Sequence, residues 1–60
     1  MGEEREVYFE HTAIGGSAKV SAIDAATGIE VSVVGPASAA PRELQRLALQ
    51  KLKSRLASAR

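Results

Sequence analysis

Few side chains in this 60-residue chain are suited to chemistry at neutral pH, and their company decides what they are for. Histidine is the usual carrier of protons near neutrality. The chain has one, His11, with no second histidine, no cysteine and no carboxylate at a converging spacing. A partly buried or rim histidine is expected there rather than a catalytic one. Ser17, Ser21, Ser32, Ser38, Ser54 and Ser58 have no base within reach of any sequence pattern that activates a hydroxyl. Gly15-Gly16-Ser17 matches neither the P-loop nor the dinucleotide pattern, and it leads into a strand-like stretch instead of a helix. One histidine without cysteine gives no basis for a tetrahedral zinc site. The chain is also too short for a ligand cleft of the usual ~300 Å³ or more. The expectation is a non-enzyme with no cofactor, no metal and no small-molecule substrate.

One group of charges stands above this background. Arg42, Arg46, Lys53 and Arg60 fall within one sector of a helix, roughly 40° wide at 100° per residue. Such a stripe contacts phosphates or an acidic protein. The simpler account is a solvated helix face, with cations favoured toward the helix C-terminus. The net charge of +1 conceals an asymmetry. Up to Val34 the chain carries Glu3, Glu4, Glu6, Glu10, Asp24 and Glu30 against Arg5 and Lys19; beyond it, six cations oppose Glu43 alone.

The elements that must position these residues follow from local pattern. Met1 to Glu4 are polar, with frayed ends expected. Arg5 to Ala13 alternates with period two and is rich in β-branched and aromatic residues, which predicts a strand. Val7, Phe9 and His11 share one face; Tyr8, Glu10 and Thr12 share the other. Gly15-Gly16 predicts a two-residue hairpin turn, glycine accepting positive φ at both central positions. Pairing Ile14 with Ser17 sets His11 opposite Val20 and Phe9 opposite Ala22 on an apolar face. It sets Thr12 opposite Lys19, Glu10 opposite Ser21 and Tyr8 opposite Ile23 on a mostly polar one. A half-buried antiparallel sheet requires that division.

Asp24-Ala25-Ala26-Thr27-Gly28 predicts the second turn: Asp accepts N–H bonds within the loop and Gly supplies the left-handed residue. Asp24 then pairs with Ile29, Ala22 with Val31 and Val20 with Val33. Gly35-Pro36 should end the third strand, because proline cannot donate to a ladder.

Pro41 to Leu56 is the stretch on which everything else depends. Leu44, Leu47, Ala48, Leu52 and Leu56 recur at the spacing of one helix face, and this helix is the only element available to cover the sheet. Its Ala48 should lie near Ala18 and Ala22. Either Ser38 by residue type, or Ala40 if Pro41 takes the first helical position, is the N-cap. The fold class is α+β: a three-stranded antiparallel meander of order 1-2-3 with one C-terminal helix on one face, in a single domain over 1–60. Phe9 should be the main aromatic of the core.

A chain this short buries only about 60% of the surface its unfolded form exposes, so it needs a further source of stability. Disulfides are excluded by the absence of cysteine, which leaves association with another chain. The third strand invites it. The first strand is guarded by Arg5, Glu6 and Glu10, whereas Glu30 is the only charge between Ile29 and Val34. Glu30, Ser32 and Val34 mark a self-association edge, with Ser32 near the two-fold axis. No apolar run approaches the ~20 residues of a membrane span, and Met-Gly-Glu-Glu-Arg has no apolar signal core. A soluble cytoplasmic protein without membrane contact is expected.

Two resemblances arise from these residues. The pattern Glu6-Val7-Tyr8-Phe9-Glu10, Lys19 to Asp24, Thr27 to Ala37 and Leu44 to Leu52 resembles a family of small bacterial proteins of unknown function, and implies no activity. Three antiparallel strands and a helix of this spacing are similar to the C-terminal part of a double-stranded-RNA-binding domain. That resemblance puts Leu44, Leu47, Ala48, Leu52 and Leu56 on the family's core positions. Its basic cluster at the start of the last helix falls on Pro41 and Arg42, matching one cation, and its first helix has no counterpart. The function expected is a non-catalytic interaction module that self-associates or docks onto another protein. The alternative is a weak nucleic-acid, specifically RNA, binder that uses the basic helix face.

Overall fold

The computed structural model describes residues 6–58. It contains β1 (Val7–Ile14), β2 (Ser17–Asp24), β3 (Glu30–Pro36) and one helix, α1 (Pro41–Ser58). The strands form one antiparallel sheet of order β1-β2-β3, with α1 packed on one face. The α+β meander expected from the pattern is therefore the fold. The expectations placed on Met1 to Arg5 and on Arg60 fall outside the described residues.

The first hairpin has the register set by its turn: Ile14 opposite Ser17, His11 opposite Val20, Phe9 opposite Ala22 and Tyr8 opposite Ile23. Of the two turn glycines only Gly15, at φ +58°, has positive φ. The turn thus has the one-sided geometry of type II′, not the doubly left-handed geometry that two glycines invite. The second connection forms as its residue types dictate. Gly28 N–H donates to Asp24 O at 2.8 Å and Asp24 N–H to Ile29 O at 2.9 Å. Gly28 is the other left-handed residue, at φ +78°.

β3 ends at Pro36, as expected, but Gly35 and Pro36 are themselves paired within it, Gly35 with Ala18 and Pro36 with Ser17. The reason is parity. Asp24 N–H bonds to Ile29 O, and Ala37 N–H bonds to Gly16 O at 2.8 Å. The hydrogen-bonded pairs therefore fall on odd residues of β3, because antiparallel pairs alternate between bonded and non-bonded types. Pro36 sits at a non-bonded position with its nitrogen toward the free edge, where no donor is required.

The core is Val20 and Ala22 of β2, Val31 of β3, and Leu44, Ala48 and Leu52 of α1. Leu56 packs at its margin. Leu47, expected in the core, is 40% exposed. The cause is the helix's lateral position: α1 lies across β2 and β3 and touches β1 only lightly. By helical spacing Leu47 shares the flank of Lys51, whose Nζ reaches Ser32 O of β3. Leu49, half-buried, takes the opposite flank beside β1. The same offset corrects Phe9, which is half-buried against the core instead of enclosed by it. Tyr8 faces outward as expected, at 54% exposure.

Gly35 has a packing role. A Cβ built there would stand 2.8 Å from Leu44 Cδ2, so its missing side chain lets the first turn of α1 seat on β3. The N-cap is Ala40. Its carbonyl accepts from Glu43 N–H at 3.0 Å and Leu44 N–H at 3.3 Å, which places Pro41 at the first helical position. No helix among the described residues is long and apolar enough to cross a membrane.

Candidate interaction surfaces

Two surfaces result from the off-centre helix, one on each of its flanks. On the β1 side, Phe9, Arg42, Gln45, Arg46 and Leu49 line a shallow concavity of about 290 Å³. Phe9 and Leu49 give it an apolar floor. Gln45 Nε2–H lies 3.4 Å from His11 Nε2 and donates to it, which needs the imidazole proton on Nδ1. His11 is exposed at the rim, where Gln45 of α1 reaches β1. Arg46 pairs with Glu43 one turn before it. Arg42 and Lys53 are exposed, with no ion pair among the described residues. Two members of the basic stripe, Arg42 and Arg46, thus border Phe9 of β1. Sequence reading missed Gln45 and Leu49 here, because helical spacing does not say which strands a helix will cover.

On the other flank is the free edge of β3. With the bonded pairs on odd residues, the N–H and C=O groups of Glu30, Ser32 and Val34 point away from β2. These are the three residues expected at a self-association edge. Val34 is 66% exposed. The Ser32 hydroxyl is tied inward, 2.9 Å from Ser21 Oγ on the outer sheet face. Its main-chain oxygen accepts a bond from Lys51 Nζ at 2.7 Å. The Ala37–Ala40 linker leaves the middle of this edge uncovered, since Ala37 N–H continues the ladder to Gly16 and Ala39 N–H turns back to Pro36 O. Lys51 was missed in sequence, although its angle on the helix sets it apart from the Arg42, Arg46 and Lys53 sector.

Among the described residues no three His, Cys, Asp or Glu side chains stand together in a group able to hold a metal ion. What the arrangement offers is main-chain hydrogen bonding at one edge and an apolar floor with cations at the other. The fold and these surfaces define a small α+β domain with two open flanks. The chain belongs to the family described as a domain of unknown function (DUF6898), whose model matches residues 4–59. No curated protein and no solved structure matches the chain.

Proposed function

We propose that this domain is a non-catalytic interaction module of the bacterial cytoplasm, and that it self-associates by pairing β3 with β3 of a second copy. The observation that carries this is the outward aim of the Glu30, Ser32 and Val34 main-chain groups. The edge is self-complementary. With a two-fold axis at Ser32, Ser32 faces Ser32 of the second copy and Glu30 faces Val34, so the strand's one charge never meets its like. Both sheets join into one of six strands. A pairing of seven-residue edges is small, and each main-chain bond contributes only about 0.5–1.5 kcal/mol net, so the dimer is a weak one.

Sedimentation over a concentration series tests it. The wild type should pass from monomer to dimer, and Ser32→Lys should hold it monomeric with unchanged circular dichroism. A monomer at millimolar concentration, or a dimer indifferent to Ser32→Lys, overturns the proposal.

A second reading is favoured by Arg42 and Arg46 standing beside the half-exposed Phe9 ring. Cations flanking an aromatic face suit a weak contact with single-stranded nucleic acid, the base on Phe9 and phosphates on Arg42, Arg46, Lys53 and Arg60. The likeness to double-stranded-RNA-binding domains lends less: Leu47 is outside the core, and the first helix of that family has no counterpart among the described residues. Titration with RNA and DNA at two salt concentrations decides it. Salt-sensitive binding lost in the triple variant Arg42→Gln, Arg46→Gln, Lys53→Gln supports it; no binding at low salt removes it.

A further inference from the structure

The position of α1 extends the edge pairing of β3 from the sheet to the helices, and the extension rests on that pairing. Strands in a sheet lie about 4.8 Å apart. The helix straddles β2 and β3, so its axis lies about one strand spacing from the edge about which two copies would pair. A two-fold axis normal to the sheet keeps both helices on the same face, antiparallel, about 10 Å apart. That is the distance at which packed helices sit. We infer that the dimer has a second layer, in which the two α1 helices pack against each other along the flank that carries Leu47, Lys51 and Ser54.

Three observations meet in this. Leu47 is a large apolar side chain at 40% exposure, set apart from the core by the helix offset. At 100° per residue, Leu47, Lys51, Ser54 and Ser58 share the flank that overhangs β3. Lys51 marks the level of the axis, because its Nζ reaches Ser32 O at 2.7 Å. Antiparallel packing about that level brings each Leu47 onto the Lys51–Ser54 turn of the other helix. The small Ser54 leaves room there, and the aliphatic stem of Lys51 adds apolar surface.

The Lys51 ammonium works against this association in two ways. It occupies the acceptor that an incoming strand must use, and in the dimer two such ammoniums approach across the axis. Leu47 and Lys51 should therefore have opposite signs in dimerisation, although neither belongs to β3. Leu47 provides the apolar contact, while Lys51 guards the edge and keeps the association weak.

Sedimentation of Leu47→Ser and Lys51→Met, beside the wild type and Ser32→Lys, tests this. Leu47 is exposed, and methionine keeps the stem of Lys51, so both variants should fold; circular dichroism checks that. Leu47→Ser should weaken dimerisation about tenfold, since two half-exposed leucines lose their cover. Lys51→Met should tighten it about tenfold, since two ammonium contacts need no longer be broken. If Ser32→Lys dissociates the dimer while Leu47→Ser and Lys51→Met leave it unchanged, the helix layer is wrong and the strand pairing stands. If wild type and Lys51→Met both stay monomeric at millimolar concentration, the strand pairing itself is wrong.

Discussion

Thr27 is bound twice to a single oxygen of Asp24: its N–H donates to Oδ2 at 3.0 Å and its hydroxyl donates to the same atom at 2.7 Å. The Thr27 hydroxyl oxygen in turn accepts from Ile29 N–H at 3.2 Å. Asp24 is fully buried, so the loop that starts β3 is held from beneath by a carboxylate. The position of β3 and its free edge depends on this loop.

Removing that carboxylate should cost more than removing the hydroxyl it holds. Asp24→Ala leaves both Thr27 donors without their buried acceptor and is expected to destabilise by about 2–3 kcal/mol. Thr27→Val loses only the hydroxyl and should cost about 1 kcal/mol, while Thr27→Ser should be close to neutral. Urea denaturation of the three variants gives the order. Equal losses from Asp24→Ala and Thr27→Ser would show that the loop is held by something else.

Phe9 and Leu52 differ in the same way by depth. Had Phe9 been enclosed, Phe9→Ala would cost about 3–5 kcal/mol. It is half-buried beside the helix instead, so about 1–2 kcal/mol is expected by scaling with buried area. Leu52 is fully buried, and Leu52→Ala should cost about 2–5 kcal/mol and leave little folded protein. Tyr8→Ala should cost least of the three. A Phe9→Ala loss as large as that of Leu52→Ala would mean that α1 covers β1 more fully than its contacts with β2 and β3 show.

Both hairpins were legible in the sequence because turn chemistry and period-two alternation are local and agree: Gly15-Gly16 and Asp24 to Gly28 leave one register that keeps the apolar face continuous. The helix was legible for the same reason. Its sideways placement was not. Leu47 and Leu49 lie on opposite sides of Ala48 on the helical wheel, each at an angle of about 100°, and either could have been the one to pack. Choosing between them needs the offset of α1 toward β3, which depends on the close approach of Gly35 to Leu44. That β3 is an outer strand carrying the single charge Glu30 was legible from the turns and the charge pattern. Lys51 was not, because its contact depends on the parity of β3 and on that same offset.

Gly35 should therefore resist even a single added methyl group. Its Cβ would stand 2.8 Å from Leu44 Cδ2, and Leu44 is itself buried, so its rotamer has little room to give. Gly35→Ala is expected to destabilise by about 1–3 kcal/mol through overpacking. Gly35→Ala combined with Leu44→Val should recover part of that loss, which a purely backbone effect of glycine would not allow. Thermal denaturation of the single and double variants separates the two causes.

At the N-terminus of α1 a substitution should instead stabilise the fold. Ala40 is the N-cap, and alanine has no side-chain oxygen to meet the unpaired N–H groups of the first turn. Three residues on stands Glu43, which a capping box requires. Ala40 is exposed, so a serine there meets no packing obstacle. Ala40→Ser would let the new hydroxyl take over Glu43 N–H from the residue 40 carbonyl, which keeps Leu44 N–H, while the Glu43 carboxylate reaches back to the N–H of residue 40. Glu43 would leave its exposed pair with Arg46, an interaction of the kind that contributes little. The gain should be about 0.5–1 kcal/mol. In a domain this small, each 1 kcal/mol raises Tm by about 4–8 °C. The double variant Ala40→Ser, Glu43→Ala isolates the reciprocal half of the box and should keep only part of the rise. A Tm unchanged or lowered by Ala40→Ser would mean that the helix starts elsewhere, with Ser38 the residue to test next.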